Sequence, residues 1–369
     1  MLIYLMPYNK VMFFFNKKVS YYLYIFFVFL TFYFIEFSTK EVFAKTFVVS
    51  KIEVEEKYNL NFNKLKVIDK GFKKAFQDLS KMILEGKDQD KITNSSIEDI
   101  KKLVDNFSIL DEKFINQKYK SIIEVEFNRN KLITFLNSKN ITLSLPKKVN
   151  VFFLPVLVDL ENNSFSYLND NILVKNWERI NENYFQINYI LPNEDVEDYL
   201  IIKYNIKNIE SYNFTKILKK YNFENYIIMI TFKNKNNIKF YSQVNFDDRL
   251  SILNKNFINK NLEDYSDLTS MILNIKNNYE DNWKAINKFN PSTSVPIRLS
   301  VESLNIKKSL KLENALSNLD FVNTYKIEKF DSNELIYKVD YSSSPKRFLK
   351  DILIYDIEVD TSTTDWKVK

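Results

Sequence analysis

The sequence predicts an α+β protein, in which two to three small α/β units follow a signal peptide. Three observations predict this class. Segments in which every second residue is hydrophobic, as in strands, alternate along the chain with segments that have the hydrophobic spacing of helices. A segment near the N-terminus is apolar on every side of a helix. The hydrophobic fraction of 45% is typical of a chain that folds around a core.

The N-terminal 44 residues have the pattern of a signal peptide. Asn16-Lys17-Lys18 is basic, residues 19–35 form an uninterrupted apolar run, and Val42-Phe43-Ala44 suits cleavage after Ala44. This pattern predicts export to the periplasm, with Met1 or Met12 as the start. Residues 19–35 could instead stay as a single-pass anchor in the inner membrane, although the run is short for a bilayer span. Both alternatives place the chain after residue 45 outside the cytoplasm.

Residues 45–145 are predicted to form an N-terminal α+β domain. Residues 45–56 alternate toward their end and predict a strand. A helical pattern follows, and Gly86 is placed to be its C-terminal cap. Ser95-Ser96-Ile97-Glu98 has the spacing of a capping box at the start of a second helix. The remaining elements are strands at about 106–115 and 119–127 and a short helix near 132–136.

Residues 146–290 are predicted to form a middle α/β domain. Pro146-Lys147-Lys148 marks its start, and the apolar run Val149–Val158 predicts a strand that is covered on both faces. The other predicted elements are helices near 170–182, 194–204, 212–222 and 261–289 and strands near 185–191, 225–233 and 238–246.

Residues 291–369 are predicted to form a C-terminal domain with a split βαβ, ferredoxin-like order. Pro291–Pro296 has the composition of a linker. The elements that give this order are a strand at 297–301, a helix at 304–319, strands at 321–330 and 334–341, a helix after Pro345 and a strand that ends at Val368.

Three features of the composition exclude most enzyme classes. The chain has no Cys and no His, which removes thiolate chemistry, the usual general base and most zinc sites. It has only two glycines, too few for a dinucleotide-binding or phosphate-binding glycine loop. The net charge of +6 is spread along the chain and indicates a solvated surface rather than a nucleic-acid interface. We therefore expect no enzyme, no cofactor and no bound metal.

Several short motifs could be functional sites, but a structural interpretation is favoured for each. Ser343-Ser344-Pro345-Lys346 matches the S-x-x-K nucleophile motif, but Ser before a helix that starts with Pro is a normal N-cap. The carboxylates of Glu194–Asp198 could bind Ca²⁺, but they also suit the first turn of a helix. Asp247-Asp248-Arg249 is predicted to be a turn. Packing anchors are predicted at Trp177, Trp283 and Trp366.

Six short segments in a fixed order resemble the proteobacterial domain of unknown function 2066 family. Its members are secreted or envelope proteins with no assigned activity, so the resemblance implies an envelope location and supplies no catalytic residue. The middle domain also looks loosely like the amino-terminal domain of TolB-type periplasmic proteins. The six segments are Lys73–Leu79, Ile109–Phe114, Tyr119–Asn128, Leu154–Leu157, Trp283–Asn287 and Asp365–Val368.

The leading functional prediction is a non-enzymatic interaction or scaffolding module of the cell envelope. It would bind an envelope protein partner, unknown from the sequence, through a sheet edge or an aromatic patch. One alternative is a hydrolase of envelope glycan or peptidoglycan, which requires two carboxylates roughly 5–9.5 Å apart in a cleft, at least one with a raised pKa. The other is an accessory subunit tethered to the inner membrane by residues 19–35.

Overall fold

The structure is a computed structural model that describes residues 46–289 and 294–369. These residues form three β-sheets with helices packed on them. The α+β class is confirmed. The predicted signal peptide and residues 291–293 of the predicted linker lie outside the described residues. Val295 and Pro296, the end of that predicted linker, belong to a strand.

The first sheet is antiparallel and has helices on one face. Its strand order is β1-β3-β2, and β2 and β3 form a hairpin. The strands are β1 (Thr46–Lys57), β2 (Val104–Ile115) and β3 (Lys118–Asn128), and the helices are α1 (Lys64–Ile83), α2 (Gly86–Gln89), α3 (Ile97–Leu103) and α4 (Arg129–Asn137). The predicted order is confirmed, with the short α2 in addition.

The two glycines mark close approaches between elements. A Cβ at Gly71 of α1 would lie 2.2 Å from Cδ1 of Ile123, so glycine lets α1 lie close to β3. The predicted cap at Gly86 is wrong. Leu84 is the C-cap of α1, and Gly86 begins α2, where its N–H donates to both carboxylate oxygens of Asp281, at 3.2 and 3.1 Å.

The predicted capping box is displaced by one residue. Ser96 is the N-cap of α3, and its Oγ accepts from the N–H of Asp99 at 3.1 Å. Ser95 is not available for this role, because its Oγ donates to the Ile92 carbonyl at 2.7 Å and completes the preceding turn.

The middle sheet is mixed. Strand β4 is parallel to β6 and β7 and antiparallel to β5, and β7, β8 and β9 form an antiparallel meander. As predicted, β4 is buried on both faces. The strands are β4 (Val149–Asp159), β5 (Ser164–Tyr167), β6 (Ile187–Ile190), β7 (Tyr226–Asn234), β8 (Asn237–Phe246) and β9 (Arg249–Ile258).

Helices cover the two faces of the middle sheet and enclose two separate apolar cores. One face carries α5 (Ile172–Trp177) and α8 (Tyr265–Ile286), and the other carries α6 (Val196–Asn205) and α7 (Thr215–Tyr221). No strand was predicted at β9. Its Asn and Lys residues have low strand propensity, and its pairing with β8 determines its conformation.

The third sheet does not confirm the ferredoxin-like order. In a split βαβ unit the last strand is antiparallel to the first, whereas here the last strand runs parallel to the first, because a short hairpin reverses the chain at its end. The strand order is β11-β12-β10-β14-β13. The strands are β10 (Val295–Glu302), β11 (Val322–Phe330), β12 (Glu334–Tyr341), β13 (Val359–Asp360) and β14 (Trp366–Val368), with helices α9 (Ile306–Asn318) and α10 (Pro345–Leu353).

The first and third sheets share one continuous apolar core. The third sheet is also joined to the middle one through the nearly buried Arg347 of α10. Its guanidinium donates to Asp247 at 2.5 Å, to Asp351 at 3.0 Å and to Asn287 at 3.2 Å. Because Asp247 is in the β8–β9 turn, this network fixes one end of β9.

Candidate functional site

Strand β9 is one of the outer strands of the middle sheet, and no other strand in the described residues pairs with its free side. Asp247 and Asp248 form the turn before it, both with positive φ (47° and 63°). In such a two-residue hairpin the flanking pair, Phe246 and Arg249, is hydrogen bonded, and every second residue after it also faces the partner strand. The alternate residues of β9, beginning with Leu250, direct their backbone N–H and C=O groups away from β8, toward the free edge.

The outward-facing residues of β9 also share one exposed side of the sheet. The core under α6 and α7 contains residues of β4, β7 and β8 but none of β9. The opposite side of β9 is fixed, because Leu253 and Phe257 pack on the core under α8 and Ser251 Oγ donates to Asn282 Oδ1 at 3.0 Å. We name the exposed set the β9 face: Leu250, Ile252, Asn254, Asn256 and Ile258.

A cavity of about 540 Å³ adjoins the β9 face at the end of the strand. Across it, Lys239 Nζ contacts Glu210 Oε1 at 2.6 Å and lies 5.4 Å from the ring centroid of Phe232. The rest of the lining is apolar or carries amides, which suits a side chain of a bound chain more than a charged reactant. That lining includes Leu160, Asn234, Asn237, Asn256 and Ile258.

Every other long edge strand in the described sheets is interrupted by a register shift. Strand β1 shifts between Val49 and Ile52, and β2 and β11 shift twice each. The pairing of β9 with β8 has no shift over its whole length. Bulges and charged side chains are devices that stop an edge strand from pairing with another chain. Strand β9 lacks the bulge, and its only charged residues are Arg249 and Lys255.

The S-x-x-K motif is a helix start, as predicted. Ser344 is the N-cap of α10, and its Oγ accepts from the N–H of Arg347 at 3.2 Å. Lys346 forms an ion pair with Asp248 on the neighbouring unit at 3.2 Å. The lysine is therefore directed toward the β8–β9 turn, and because both side chains are exposed this ion pair contributes little to stability.

The carboxylates at 194–198 also begin a helix, as predicted. Asp195 is the N-cap of α6 and accepts from the N–H groups of Glu197 and Asp198 at 2.8 and 3.1 Å. The buried Asp198 accepts from Tyr221 Oη at 2.6 Å and from Lys220 at 3.2 Å. Burial and this hydrogen bond raise the pKa of Tyr221 to about 12. In the described part of the chain, acidic residues form no cluster that could hold a metal ion.

The tryptophans are packing residues, which confirms their predicted role. Trp177 and Trp283 are buried in the core under α8, and Trp283 Nε1 donates to the Lys147 carbonyl at 2.6 Å. Trp366 is half-buried against Phe348 of α10.

Sequence reasoning missed a row of buried charges on α8. Lys276 Nζ donates to the carbonyls of Trp177 and Ile180 at 2.8 and 2.7 Å. The rings of Trp177, Phe185 and Tyr189 surround it at 5.2–5.4 Å. Burial lowers the pKa of Lys276 to about 8. The spacing of Lys276, Glu280 and Lys284, four residues apart on the apolar stripe of the helix, was the available signal.

The other two charges of this row also bind backbone groups. Glu280 Oε1 accepts from the N–H groups of Gln186 and Ile187 at 2.9 Å each, and burial raises its pKa. Lys284 Nζ donates to the Leu84 carbonyl at 2.9 Å. The row therefore fastens the segment before β6 and the end of α1 onto α8, which is a positioning role.

The described carboxylates whose pKa is raised are Asp78 and Glu280. Neither lines the cavity beside β9 or a smaller one of about 110 Å³ that contains Lys147 and Asp351. The smaller cavity is lined by two carboxylates, those of Asp320 and Asp351, but neither Asp78 nor Glu280 lies beside them. The raised-pKa carboxylates are therefore not part of a pair in either of these cavities, as the hydrolase alternative requires.

Comparison with protein-family models gives no match, and no curated protein sequence matches the chain. The resemblance to the domain of unknown function 2066 family therefore rests on the six short segments alone. None of the helices within residues 46–289 and 294–369 combines the length and apolar composition needed to cross a bilayer.

Proposed function

We propose that this chain is a non-enzymatic interaction module of the cell envelope that binds an extended segment of an envelope protein by strand addition at β9. The observation that carries the proposal is a ten-residue edge that has no bulge, has no strand of the described residues paired to its free side and continues into a cavity. In strand addition, backbone hydrogen bonds supply affinity and pockets for alternate side chains supply specificity. The β9 face and the cavity provide these two components.

The chemistry of β9 defines the segment that fits it. Apolar side chains at every second position would cover Leu250, Ile252 and Ile258, which are exposed on one side of the strand. Arg249 and Lys255 lie on the opposite side, and β9 has no carboxylate. A bound segment with an acidic residue beside Lys255 is therefore favoured. One of its side chains would enter the cavity between Phe232 and Ile258.

The proposed location is the periplasm. It is supported by the sequence pattern of residues 1–44, which is that of a cleaved export signal. N-terminal sequencing of the native protein tests it, because cleavage after Ala44 leaves a chain that begins at Lys45. A native chain that retains residues 19–35 would favour the tethered accessory subunit instead.

Binding of ten-residue peptides to the full chain tests the proposal. Peptides are selected from a random library, and their affinities are measured for the wild type and for two variants. Ile252→Lys places a charge on the β9 face and should weaken binding by about tenfold or more. Leu110→Lys on β2 is the matched control, because Leu110 is 54% exposed and Ile252 is 56% exposed. Equal losses in both variants, or no loss in either, would contradict binding at β9.

A further inference from the structure

The end of the first sheet carries an exposed aromatic cluster that is separate from β9. Tyr58, Phe62, Tyr119 and Phe114 form a closed ring of contacts, with ring centroids 4.9–5.1 Å apart. Tyr119 is buried beneath the others. We name the exposed apolar side chains around this cluster the sheet tip: Tyr58, Leu60, Leu65, Phe114 and Ile115.

Local hydrogen bonds hold the sheet tip in a projecting position. The turn between β2 and β3 places Asn116 and Gln117 at positive φ, and the Gln117 carbonyl accepts from the N–H of Tyr58 at 2.8 Å. The loop after β1 closes on itself through Phe62 N–H and the Asn59 carbonyl at 2.9 Å. Leu60 lies at the apex and is 105% exposed. A leucine held in this position contributes nothing to the core.

Lysines surround the sheet tip and outnumber the carboxylates beside them. Lys57 and Lys118 are directly opposite in the β1–β3 register, and Lys120 and Lys113 are opposite in the next row of the β2–β3 register. Like charges at opposed positions destabilise a sheet, so this arrangement does not serve stability. Among the described residues, Glu55 and Asp111 form ion pairs with three of these four lysines. The adjacent carboxylates of Glu56 and Glu112 pair with two further lysines, Lys70 and Lys64, so six lysines accompany four carboxylates at this end of the sheet.

We propose that the sheet tip docks on the surface of an anionic lipid bilayer. Aromatic and aliphatic side chains partition into the interfacial region, while lysines reach anionic headgroups and cover apolar surface with their stems. The sheet-tip side chains are exposed and line neither of the two cavities described above, so the tip offers no pocket there for a side chain of a protein partner. The excess of lysines determines the sign of charge on the lipid.

A single labelled residue reports contact between the sheet tip and lipid. Because the chain has no Cys, Leu60→Cys in the full chain can carry an environment-sensitive fluorophore at that site alone. Leu304→Cys, at a residue that is 92% exposed before α9, is the matched control. Vesicles of phosphatidylcholine with phosphatidylglycerol should raise emission at position 60 about twofold or more and leave position 304 unchanged. Residues 19–35 are identical in both labelled chains.

The charge requirement is tested in the same assay. Lys57→Gln and Lys118→Gln should each weaken partitioning about fivefold, which corresponds to about 1 kcal/mol per lysine near an anionic surface. Salt should weaken it further. An equal response at positions 60 and 304, or an equal response to vesicles of phosphatidylcholine alone, would overturn the proposal. A sheet tip that binds protein would give no response to these protein-free vesicles, which also overturns it.

Discussion

Strands β2 and β9 are both outer strands of hairpins that turn through two residues with positive φ, yet their free edges differ. Strand β2 has two register shifts and three consecutive charged residues. Asp111 pairs with Lys113 on the strand, and Glu112 pairs with Lys64 of α1. Strand β9 pairs with β8 without a shift and presents a mostly apolar face. Edges are normally protected by the features that β2 has. Strand β9 lacks the bulges, and this difference is the basis of the proposed strand addition at its edge.

The open edge of β9 is not a loosely held strand. Its inner side packs on the core under α8, and the turn before it is held by Arg347 through a contact of 2.5 Å to Asp247. A strand that is fixed on one side and free on the other is organised for association, because little conformational entropy remains to be lost on binding.

The largest expected effect is a difference in stability between proline substitutions at inward-facing and outward-facing N–H groups of β9. Leu253→Pro removes an N–H that faces β8 and a side chain from the core, so it should lower the free energy of unfolding by about 3 kcal/mol or more. Asn254→Pro removes an N–H that faces outward and should cost less than about 1 kcal/mol. Denaturant unfolding of both variants measures the difference. Equal losses would contradict the alternation on which the open edge depends.

The second prediction concerns the opposite side of the middle sheet. Lys276→Met leaves the Trp177 and Ile180 carbonyls without their donor and should lower the free energy of unfolding by about 1–3 kcal/mol. It should not change peptide binding at β9, because α8 lies under the other face. A loss of peptide affinity in this variant, measured where it is fully folded, would show that the two sides are not independent.

The pH dependence of stability follows from the same lysine. Burial lowers the pKa of Lys276 from 10.5 to about 8, so between these values the unfolded chain binds more protons than the folded one. Stability should therefore rise with pH between about 8 and 10, by about 1–2 kcal/mol from this residue. Thermal unfolding across this range should show the rise in the wild type and a smaller one in Lys276→Met. Identical profiles would contradict the assignment.

The smallest expected effect concerns the bulge that protects β1. Lys51 has φ of 60°, a left-handed conformation that costs a side chain with a Cβ about 1 kcal/mol. Lys51→Gly should therefore stabilise the protein by up to about 1 kcal/mol while the bulge remains. Denaturant unfolding measures the gain. Destabilisation instead would mean that the lysine side chain, and not the backbone, determines this protected edge.

Much of the fold follows from local patterns. The apolar run of β4, the helical spacing in α1 and α8 and the caps at Asp195 and Ser344 are encoded by residues close in sequence. Sequence reasoning failed where contacts between residues distant in sequence determine the local structure. Gly86 begins a helix where its N–H donates to Asp281 of α8, and β9 is determined by its pairing with β8.

The candidate site could be predicted only as a kind of surface. The sequence suggested a sheet edge or an aromatic patch, but a strand is an edge only relative to the sheet order, which depends on long-range pairing. The sheet tip likewise joins Tyr58 and Phe114, whose rings meet because two loops converge. Neither feature has a local motif.

Residue-resolved amide hydrogen exchange of the full chain tests the open edge most directly, and it needs no partner. The N–H groups of Ile252, Asn254 and Asn256 should exchange at least about 100-fold faster than those of Ser251, Leu253 and Lys255, because only the second group is bonded to β8. Equal protection of both groups would show that the free side of β9 is already paired, and would contradict strand addition at this edge.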